Sequence, residues 1–130
     1  MQLQYWLPGD DRLLAEYVAQ GGQWIYSDMY ELYLDYPHAM TSVRKMYGNR
    51  IDIGDCACDG TSAPYGYEAC LWTEQVETNE QLEQHLFPRI YVMAELAWHG
   101  AGDDYEEFEA RLRAEMEEAR RKGLSESPEA

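Results

Sequence analysis

Residues 3–27 read LQYWLPGDDRLLAEYVAQGGQWIYS, and this stretch decides the fold. The short apolar and aromatic run LQYWL predicts a strand, which the turn PGDD ends. The following apolar residues recur at helical spacing, so they predict a helix that begins at a cap on Asp10 or Asp11 and ends at the glycine pair GG. QWIYS then predicts a second strand. A strand, a helix and a strand in this order are typical of a parallel βα unit.

The middle of the chain continues this alternation after an interruption. The segment DMYELYLDYP, closed by Pro37, is too irregular to predict either element. TSVRKMYGN predicts a short helix that begins on a Ser or Thr cap and ends at Gly48. Residues 49–67 are dense in Gly, Asp, Ser and Pro, which predicts a long loop. EACLW, residues 68–72, predicts the third strand.

The last part of the chain predicts helices. TNEQLEQHLFPRIYVMAELAWHG has an amphipathic pattern, with a cap at Thr78 or Asn79 and a kink at Pro88. DDYEEFEARLRAEMEEARRKG predicts a final helix with acids in its first turn and bases in its last. LSESPEA predicts a disordered tail, residues 124–130, after a domain of residues 1–123. The predicted fold class is therefore α/β, with about three parallel βα units followed by C-terminal helices.

The composition excludes several function classes. The chain has 130 residues and a net charge of −15, which disfavours contact with nucleic-acid phosphates and with anionic membrane surfaces. No apolar run approaches the roughly 20 residues of a membrane span. The start MQLQYWLPGDD lacks the charged and apolar regions of a signal peptide. We therefore expect one cytoplasmic domain with neutral partners, and neutral sugars are among these.

The cysteines predict neither a disulfide framework nor a metal site. Their number is odd, namely Cys56, Cys58 and Cys70. CAC with one distant cysteine is a poor match to a closed zinc site, even with His38 as a fourth ligand. We expect no metal and no cofactor, and the residues alone give no role for the loop that carries Cys56 and Cys58.

The residues at the predicted strand ends suit a sugar. In a parallel sheet the ligand binds at the carboxyl ends of the strands, where this sequence has Trp6, the triplet YLD, and then Trp72 with Glu74. Residues i and i+2 of a strand point to the same side. Trp72 would then offer an apolar ring and Glu74 a carboxylate for hydroxyl groups. The same pair also suits a plain core, with a buried indole beside an exposed acid.

Five segments resemble one known family in their order and spacing. They are LQYW, YELYLDYP, EACLWTE, LEQHLFPRIYVMAELAW and DYEEFEARL. Over roughly residues 2–113 the chain resembles the C-terminal part of the catalytic barrel of glycoside hydrolase family 20, the β-N-acetylhexosaminidases. The resemblance implies a partial (β/α)8 TIM barrel whose strands are similar to the sixth, seventh and eighth of the family. It also implies hydrolysis of terminal β-linked GlcNAc or GalNAc by substrate-assisted retaining catalysis.

The resemblance assigns roles to five residues. Tyr33 would hold the acetamido oxygen of the substrate, which is a catalytic role. Asp35 and Glu74 would bind hydroxyl groups at the far edge of the terminal sugar. Trp72 would form part of the apolar box around the N-acetyl group, and Trp6 would form another aromatic wall of that box. Charge-assisted hydrogen bonds and stacking together are a coherent way to bind a neutral sugar.

Four of these residues also have a purely structural interpretation. Trp6 and Trp72 equally suit the barrel core, Tyr33 suits the surface of a tyrosine-rich chain, and Asp35 suits a turn before Pro37.

Three further residues occupy family-like positions without a role in the predicted site. We expect Arg89, Glu95 and Trp98 to serve packing and contacts between helices.

Residues that the family reaction needs are missing from the sequence. The family carries its general acid in an Asp–Glu pair on its fourth strand, and the 130 residues contain no Asp–Glu dipeptide. A complete barrel needs about 250 residues. We therefore expect a fragment that is inactive alone and that self-associates or pairs with the N-terminal part of the barrel. The alternatives are a non-catalytic remnant that binds N-acetylhexosamine and a structural or assembly piece.

Overall fold

The computed structural model describes residues 1–9, 11–49 and 63–128. Strands and helices alternate along these residues. In chain order they are β1 Gln2–Tyr5, α1 Asp11–Ala19, β2 Gln23–Tyr26, α2 Met29–Leu32, α3 Val43–Tyr47, β3 Gly66–Tyr67, α4 Asn79–Leu86, α5 Arg89–His99 and α6 Tyr105–Arg121. The predicted α/β class is confirmed.

The strands form one parallel sheet in the order β1, β2, β3. Gln2 pairs with Gln23 and Tyr5 with Tyr26, and Tyr26 pairs on its other side with Tyr67. Helix α1 connects the first two strands, as in a βα unit. Parallel strands in sequential order are the arrangement that a partial (β/α)8 barrel requires, so this prediction is confirmed.

The two faces of the sheet differ in polarity. Trp24 and Tyr26 of β2 are buried in the hydrophobic core together with residues of the helices. Alternate residues of a strand point to opposite faces, and Gln2, Gln4 and Gln23 on the other face are exposed. Helices thus cover one face, while the face that lines the interior in a closed barrel is open and polar.

Capping side chains set the ends of two predicted helices. Ser42 Oγ accepts the backbone N–H of Lys45 at 3.2 Å where α3 begins, and Gly48 ends this helix. Asp104 Oδ1 accepts the N–H of Glu107 at 3.0 Å where α6 begins. These side chains satisfy N–H groups that have no partner within the helix. The short helix and the final helix are confirmed.

The third strand lies earlier than predicted. β3 covers Gly66–Tyr67, and residues 68–72 contribute only an isolated parallel bridge between Cys70 and Tyr33. The reason is that β2 ends at Tyr26, after which the chain turns into α2. Beyond that point the third strand has no continuous neighbour with which to form a ladder.

The irregular segment after β2 contains a short helix that the sequence interpretation missed. The carboxylate of Asp28 accepts the N–H of Tyr30 at 2.8 Å and caps α2. Asp is among the preferred N-cap residues, so Asp28 was the available signal. The helix has only 4 residues, which is too short to show helical periodicity in the sequence.

The predicted kinked helix is in fact two helices. Phe87 and Pro88 separate α4 from α5, and the peptide bond between them is cis. Proline lacks an N–H group and excludes the residue before it from the helical region. Phe87 accordingly has an extended backbone, with φ −93° and ψ 135°. The predicted start of α4 is confirmed, since Thr78 caps it and forms a capping box with Gln81.

The segment after α6 packs against the domain over its described part. Leu124 contacts the hydrophobic core, and Ser127 is buried, with its N–H donating to Phe87 O at 3.4 Å. The N–H of Ser125 donates to a carboxylate of α4 at 2.8 Å. These contacts place residues 124–128 against α4 and the hydrophobic core, and the predicted disorder of residues 124–130 stays a prediction, since residues 129 and 130 lie outside the described residues.

Some predictions fall outside the described residues. Asp10, Cys56 and Cys58 lie there, and so does most of the loop predicted for residues 49–67. Within the part of the chain that the structure describes, no helix is long and apolar enough to cross a membrane.

Candidate functional site

Trp6 lies directly after β1, beside the exit of β2. The N–H of Ser27 donates to Tyr5 O at 2.8 Å, and the N–H of Met29 donates to Trp6 O at 2.8 Å. These bonds hold the end of β1 against the start of α2. The Trp6 side chain is 45% exposed, so it presents an indole surface to solvent and is not a core residue.

Tyr33 and Trp72 are brought together by the bridge between Tyr33 and Cys70. The N–H of Leu34 donates to Cys70 O at 2.7 Å, and the N–H of Cys70 donates to Leu32 O at 3.2 Å. The ring centroids of Tyr33 and Trp72 lie 6.3 Å apart, with the ring planes inclined at 46°. Tyr33 is buried, whereas Trp72 is 54% exposed. The pair therefore combines a fixed phenol with an indole that a ligand can reach.

The Tyr33 hydroxyl is held in its neutral form. Burial raises the pKa of Tyr33 above its ordinary value, the Cys70 thiol raises it further, and a hydrogen bond from the Trp72 indole acts in the opposite direction. A neutral phenol both donates and accepts hydrogen bonds. Tyr33 can therefore donate to the carbonyl oxygen of a ligand without any change of charge.

Asp35 lines a cavity of about 360 Å³ in which polar and apolar surface are mixed. Its Oδ1 is buried and accepts no hydrogen bond in the described part of the chain. Buried carboxylate oxygens are usually satisfied, so this oxygen has capacity for a donor such as a hydroxyl group. Other side chains of the cavity come from the segment after Asp35, from the turn that carries Glu74, from α4 and from the C-terminal segment, and they include His38, Gln75, Gln81, Gln84, His85 and Ser127. Among the described residues, no three His, Cys, Asp or Glu side chains are grouped as a metal ion requires.

Glu74 does not share a strand with Trp72, so this prediction is wrong. β3 ends at Tyr67, and the chain turns after Trp72, where the N–H of Val76 donates to Thr73 O at 3.1 Å. Glu74 is exposed on this turn. Its direction therefore follows from the turn and not from the alternation of a strand.

A row of polar contacts begins on the open face of the sheet and reaches Cys70, two residues before Trp72, and the sequence interpretation missed it. Gln4 donates to the carboxylate of Glu68 and to Ser27 Oγ, the latter at 3.4 Å. Ser27 Oγ lies 3.6 Å from Cys70 Sγ. The signal was present in the sequence, because Glu68, Cys70 and Trp72 follow one another at intervals of two residues.

Direct contact joins Tyr33 and Trp72 among the five residues predicted for the site. Asp35 is close enough for its charge to contribute to the raised pKa of Tyr33. In the described chain, no hydrogen bond or ring contact joins Trp6 or Glu74 to the other predicted residues. The structure thus brings the rings of Tyr33 and Trp72 into contact. It places Asp35 at a cavity whose described lining includes neither ring, and it leaves Trp6 and Glu74 exposed.

The three family-like residues of α5 have different environments. Arg89 is fully buried, with an exposure of 0%. Glu95 accepts two hydrogen bonds from Arg111, at 2.7 and 3.1 Å, and so joins α5 to α6 as predicted. Trp98 is 84% exposed, so the prediction that it packs is wrong. The reason is the helical rotation, which directs Leu96 into the core and leaves Trp98 on the outer side.

Residues 1–101 match the family model described as glycosyl hydrolase family 20, catalytic domain. Two curated relatives match short segments. "Probable beta-hexosaminidase fdl" of Drosophila melanogaster is 46% identical over 41 residues, which are 32% of this chain and 6% of the relative. N,N'-diacetylchitobiase of Vibrio harveyi is 49% identical over 37 residues, which are 28% of this chain and 4% of the relative.

Solved structures match nearly the whole chain. The GH20 β-N-acetylhexosaminidase from Streptomyces coelicolor A3(2) has a TM-score of 0.81 and 25% identity over 98% of this chain and 29% of that chain. N-acetyl-β-hexosaminidase from Streptomyces plicatus, solved in complex with Thio-NAglucal, has a TM-score of 0.77 and 28% identity over 98% of this chain and 29% of that chain. The chain thus spans 29% of the length of each of these two structures.

Proposed function

This chain belongs to glycosyl hydrolase family 20, and we propose that it forms the C-terminal part of the catalytic barrel of a β-N-acetylhexosaminidase. Such an enzyme removes terminal β-linked GlcNAc or GalNAc from glycans. The observation that carries the proposal is the contact between the buried Tyr33 phenol and the exposed Trp72 indole, with ring centroids 6.3 Å apart and Asp35 nearby.

These three side chains provide the contacts that an N-acetylated sugar needs. The exposed face of Trp72 suits the apolar methyl group and ring of the sugar. The neutral hydroxyl of Tyr33 suits the acetamido oxygen as a hydrogen-bond donor. The unsatisfied Oδ1 of Asp35 suits a sugar hydroxyl. Trp6 has an exposed indole, which suits a further aromatic wall of the site. Glu74 has an exposed carboxylate, which suits a second contact to a sugar hydroxyl.

The reaction we propose is substrate-assisted and retains the anomeric configuration. The acetamido oxygen of the sugar attacks the anomeric carbon, in place of a protein nucleophile. A hydrogen bond from Tyr33 would hold this oxygen in its attacking position. Holding reacting atoms about 3–3.5 Å apart in the right orientation supplies a large part of an enzyme's rate enhancement. Tyr33 therefore has a catalytic role in this proposal, while Asp35 and Trp72 bind and orient the sugar.

We further propose that these 130 residues bind the sugar without hydrolysing it. Departure of the aglycone needs a general acid within hydrogen-bond reach of the glycosidic oxygen. Asp35 and Glu74 are engaged with hydroxyl groups in this scheme, and the sequence contains no Asp–Glu dipeptide. The acid would come from a further part of the barrel. The open polar face of the sheet, with Gln4 and Glu68 bonded to each other, suits contact with that part or with a second copy.

A titration of the tryptophan fluorescence tests the proposed binding. We expect N-acetylglucosamine to cause a saturable change, and we expect glucose, which lacks the acetamido group, to cause none at the same concentrations. Trp72→Phe should remove the change. Trp98→Phe is the matched control, because Trp98 is exposed on α5, and it should keep the change. Equal responses to both sugars, or a response that survives in Trp72→Phe, would contradict the proposal.

The second candidate function is a non-catalytic module that binds N-acetylhexosamine. The observation that favours it is the combination of an assembled Tyr33–Trp72 pair with the missing Asp–Glu dipeptide. The two candidates differ in what happens when the remaining part of a family 20 barrel is added. Hydrolysis would then appear in the first case and not in the second.

A further inference from the structure

Arg89 is a charged side chain in the interior of the domain. It is the first residue of α5, and it is 0% exposed. A guanidinium group stays protonated in proteins and presents five N–H donors in a planar fork. Burying such a group is costly unless acceptors surround it. Backbone carbonyl oxygens supply these acceptors here.

Among the described residues, four carbonyl oxygens accept hydrogen bonds from this one guanidinium. Nε and Nη2 donate to His85 O, at 3.2 and 2.7 Å. Nη2 also donates to Leu34 O. Nη1 donates to Tyr36 O at 2.8 Å and to Thr41 O at 3.5 Å. Three of the four carbonyls lie in the segment between α2 and α3, and the fourth lies in α4.

The bonded carbonyls lie on both sides of Asp35. A peptide unit is planar, so the bond to Leu34 O fixes the plane that joins Leu34 to Asp35. His85 Nδ1 donates to the same oxygen at 3.1 Å and fixes it from a second direction. The bond to Tyr36 O fixes the plane that follows Tyr36. The peptide planes before Asp35 and after Tyr36 are thus both fixed by hydrogen bonds, and only the peptide unit that joins Asp35 to Tyr36 is not. The direction of the Asp35 side chain is restricted as a result.

We propose that Arg89, assisted by His85, is a positioning residue of the sugar site. It holds the backbone on both sides of Asp35 and thereby aims the carboxylate at a sugar hydroxyl. The inference rests on the proposed function, in which Asp35 binds that hydroxyl. The Arg89 contacts also explain why an arginine stands at this place. A lysine ammonium has three donors on one atom and cannot reach four carbonyls that surround a planar fork.

Arg89→Lys is the variant that tests the inference. It keeps the charge and most of the side-chain volume but loses the fork. Arg113→Lys is the matched control, because Arg113 lies on the exposed side of α6, where it pairs with Glu109. His85→Ala is the second variant, which removes one donor from Leu34 O and leaves the guanidinium in place. It keeps the inference testable if Arg89→Lys fails to fold.

The first readout is hydrogen–deuterium exchange of residues 33–41, which needs no sugar. The amides of Leu34, Met40 and Thr41 donate to backbone carbonyls, so their exchange reports opening of this segment. Loss of one hydrogen bond to a charged group predicts exchange about tenfold faster or more in Arg89→Lys. We expect a smaller increase in His85→Ala, and no change in α6 in either variant. Exchange in residues 33–41 that stays unchanged, or that rises equally in α6, would overturn the inference.

The second readout is the coupling between Arg89 and Asp35 in sugar affinity. Arg89→Lys and Asp35→Asn are each expected to weaken binding of N-acetylglucosamine about tenfold, the value of one lost charge-assisted contact. The double variant should bind no more weakly than Asp35→Asn alone, because Arg89 acts through Asp35. A purely structural role for Arg89 would instead give additive losses, and additivity would overturn the inference.

The two readouts separate failure of this inference from failure of the proposed function. If the wild-type chain binds no N-acetylglucosamine, the proposed function fails. The exchange readout still decides whether Arg89 holds the backbone around Asp35, and only faster exchange confined to residues 33–41 supports that claim.

Discussion

Replacement of Tyr33 by phenylalanine is the perturbation with the clearest expected effect on sugar binding. It deletes one hydroxyl and leaves the ring, whose centroid lies 6.3 Å from that of the Trp72 ring. A neutral hydrogen bond contributes about 0.5–1.5 kcal/mol net, and a buried acceptor left unpaired costs about 1–3 kcal/mol. Because Tyr33 is only 7% exposed, an acetamido oxygen bound there would be shielded from water. We therefore expect a loss of about 1.4 kcal/mol, which is a tenfold rise in Kd.

Isothermal titration with N-acetylglucosamine measures this loss. Tyr30→Phe is the matched control, since Tyr30 is 51% exposed, and its Kd should equal that of the wild type. Burial raises the pKa of Tyr33, so the hydroxyl stays protonated past its ordinary value of about 10. The wild-type affinity should therefore be constant between pH about 6 and about 9 with respect to this group. A wild-type Kd in Tyr33→Phe would refute the assignment of the hydroxyl to the acetamido oxygen.

Three further predictions concern the fold. Thr78→Ala removes the capping box of α4 and should lower the free energy of unfolding by about 1 kcal/mol in urea denaturation, and an unchanged midpoint would contradict the role of this cap. Hydrogen bonds from Arg111 lower the pKa of Glu95 in the folded state. The pair therefore stabilises the fold fully at pH values above the ordinary glutamate pKa of about 4.3. This stabilisation is lost as the pH falls through the lowered pKa of the folded state. Glu95→Gln should flatten that part of the acid unfolding curve followed by circular dichroism, and an identical curve would show that the pair does not act. Trp24→Ala should lower the free energy of unfolding by about 3–5 kcal/mol, because Trp24 is 1% exposed and its ring contacts Tyr5 and Tyr26 edge to face. A stable fold with an unchanged thermal midpoint would contradict the core as described.

The helices that the sequence predicted well begin at capping side chains. Ser42 and Asp104 are preferred N-cap residues, and each precedes a helix in the structure. β2 was predictable as well, because QWIY is a short run rich in aromatic and β-branched residues. These signals are local, so one sequence is enough to read them.

The errors concern elements whose extent depends on a distant partner. β3 ends at Tyr67 because β2 stops pairing there, and nothing within residues 68–72 signals this limit. For the same reason Glu74 lies on a turn and not at the end of a strand. Pro88 predicts a kink within one helix, and the chain instead forms two helices, one on each side of it.

In the candidate site, too, the side-chain motifs could be predicted from the sequence and the backbone contacts could not. Tyr33 and Trp72 could be selected because their motifs resemble those of a family, and their contact depends on the bridge to Cys70. The role of Arg89 could not be predicted, because the four partners described for it are backbone carbonyls, which every residue carries. Only the folded arrangement shows which carbonyls it meets.

The most direct test of the central claim is incubation of the purified 130-residue chain with a chromogenic β-N-acetylglucosaminide at concentrations that saturate the tryptophan fluorescence change. We predict that the chain binds the compound, with weaker binding in Tyr33→Phe, and that no chromophore is released above the uncatalysed rate. Release of chromophore that is lost in Tyr33→Phe would contradict the account, because it would place a general acid within these residues.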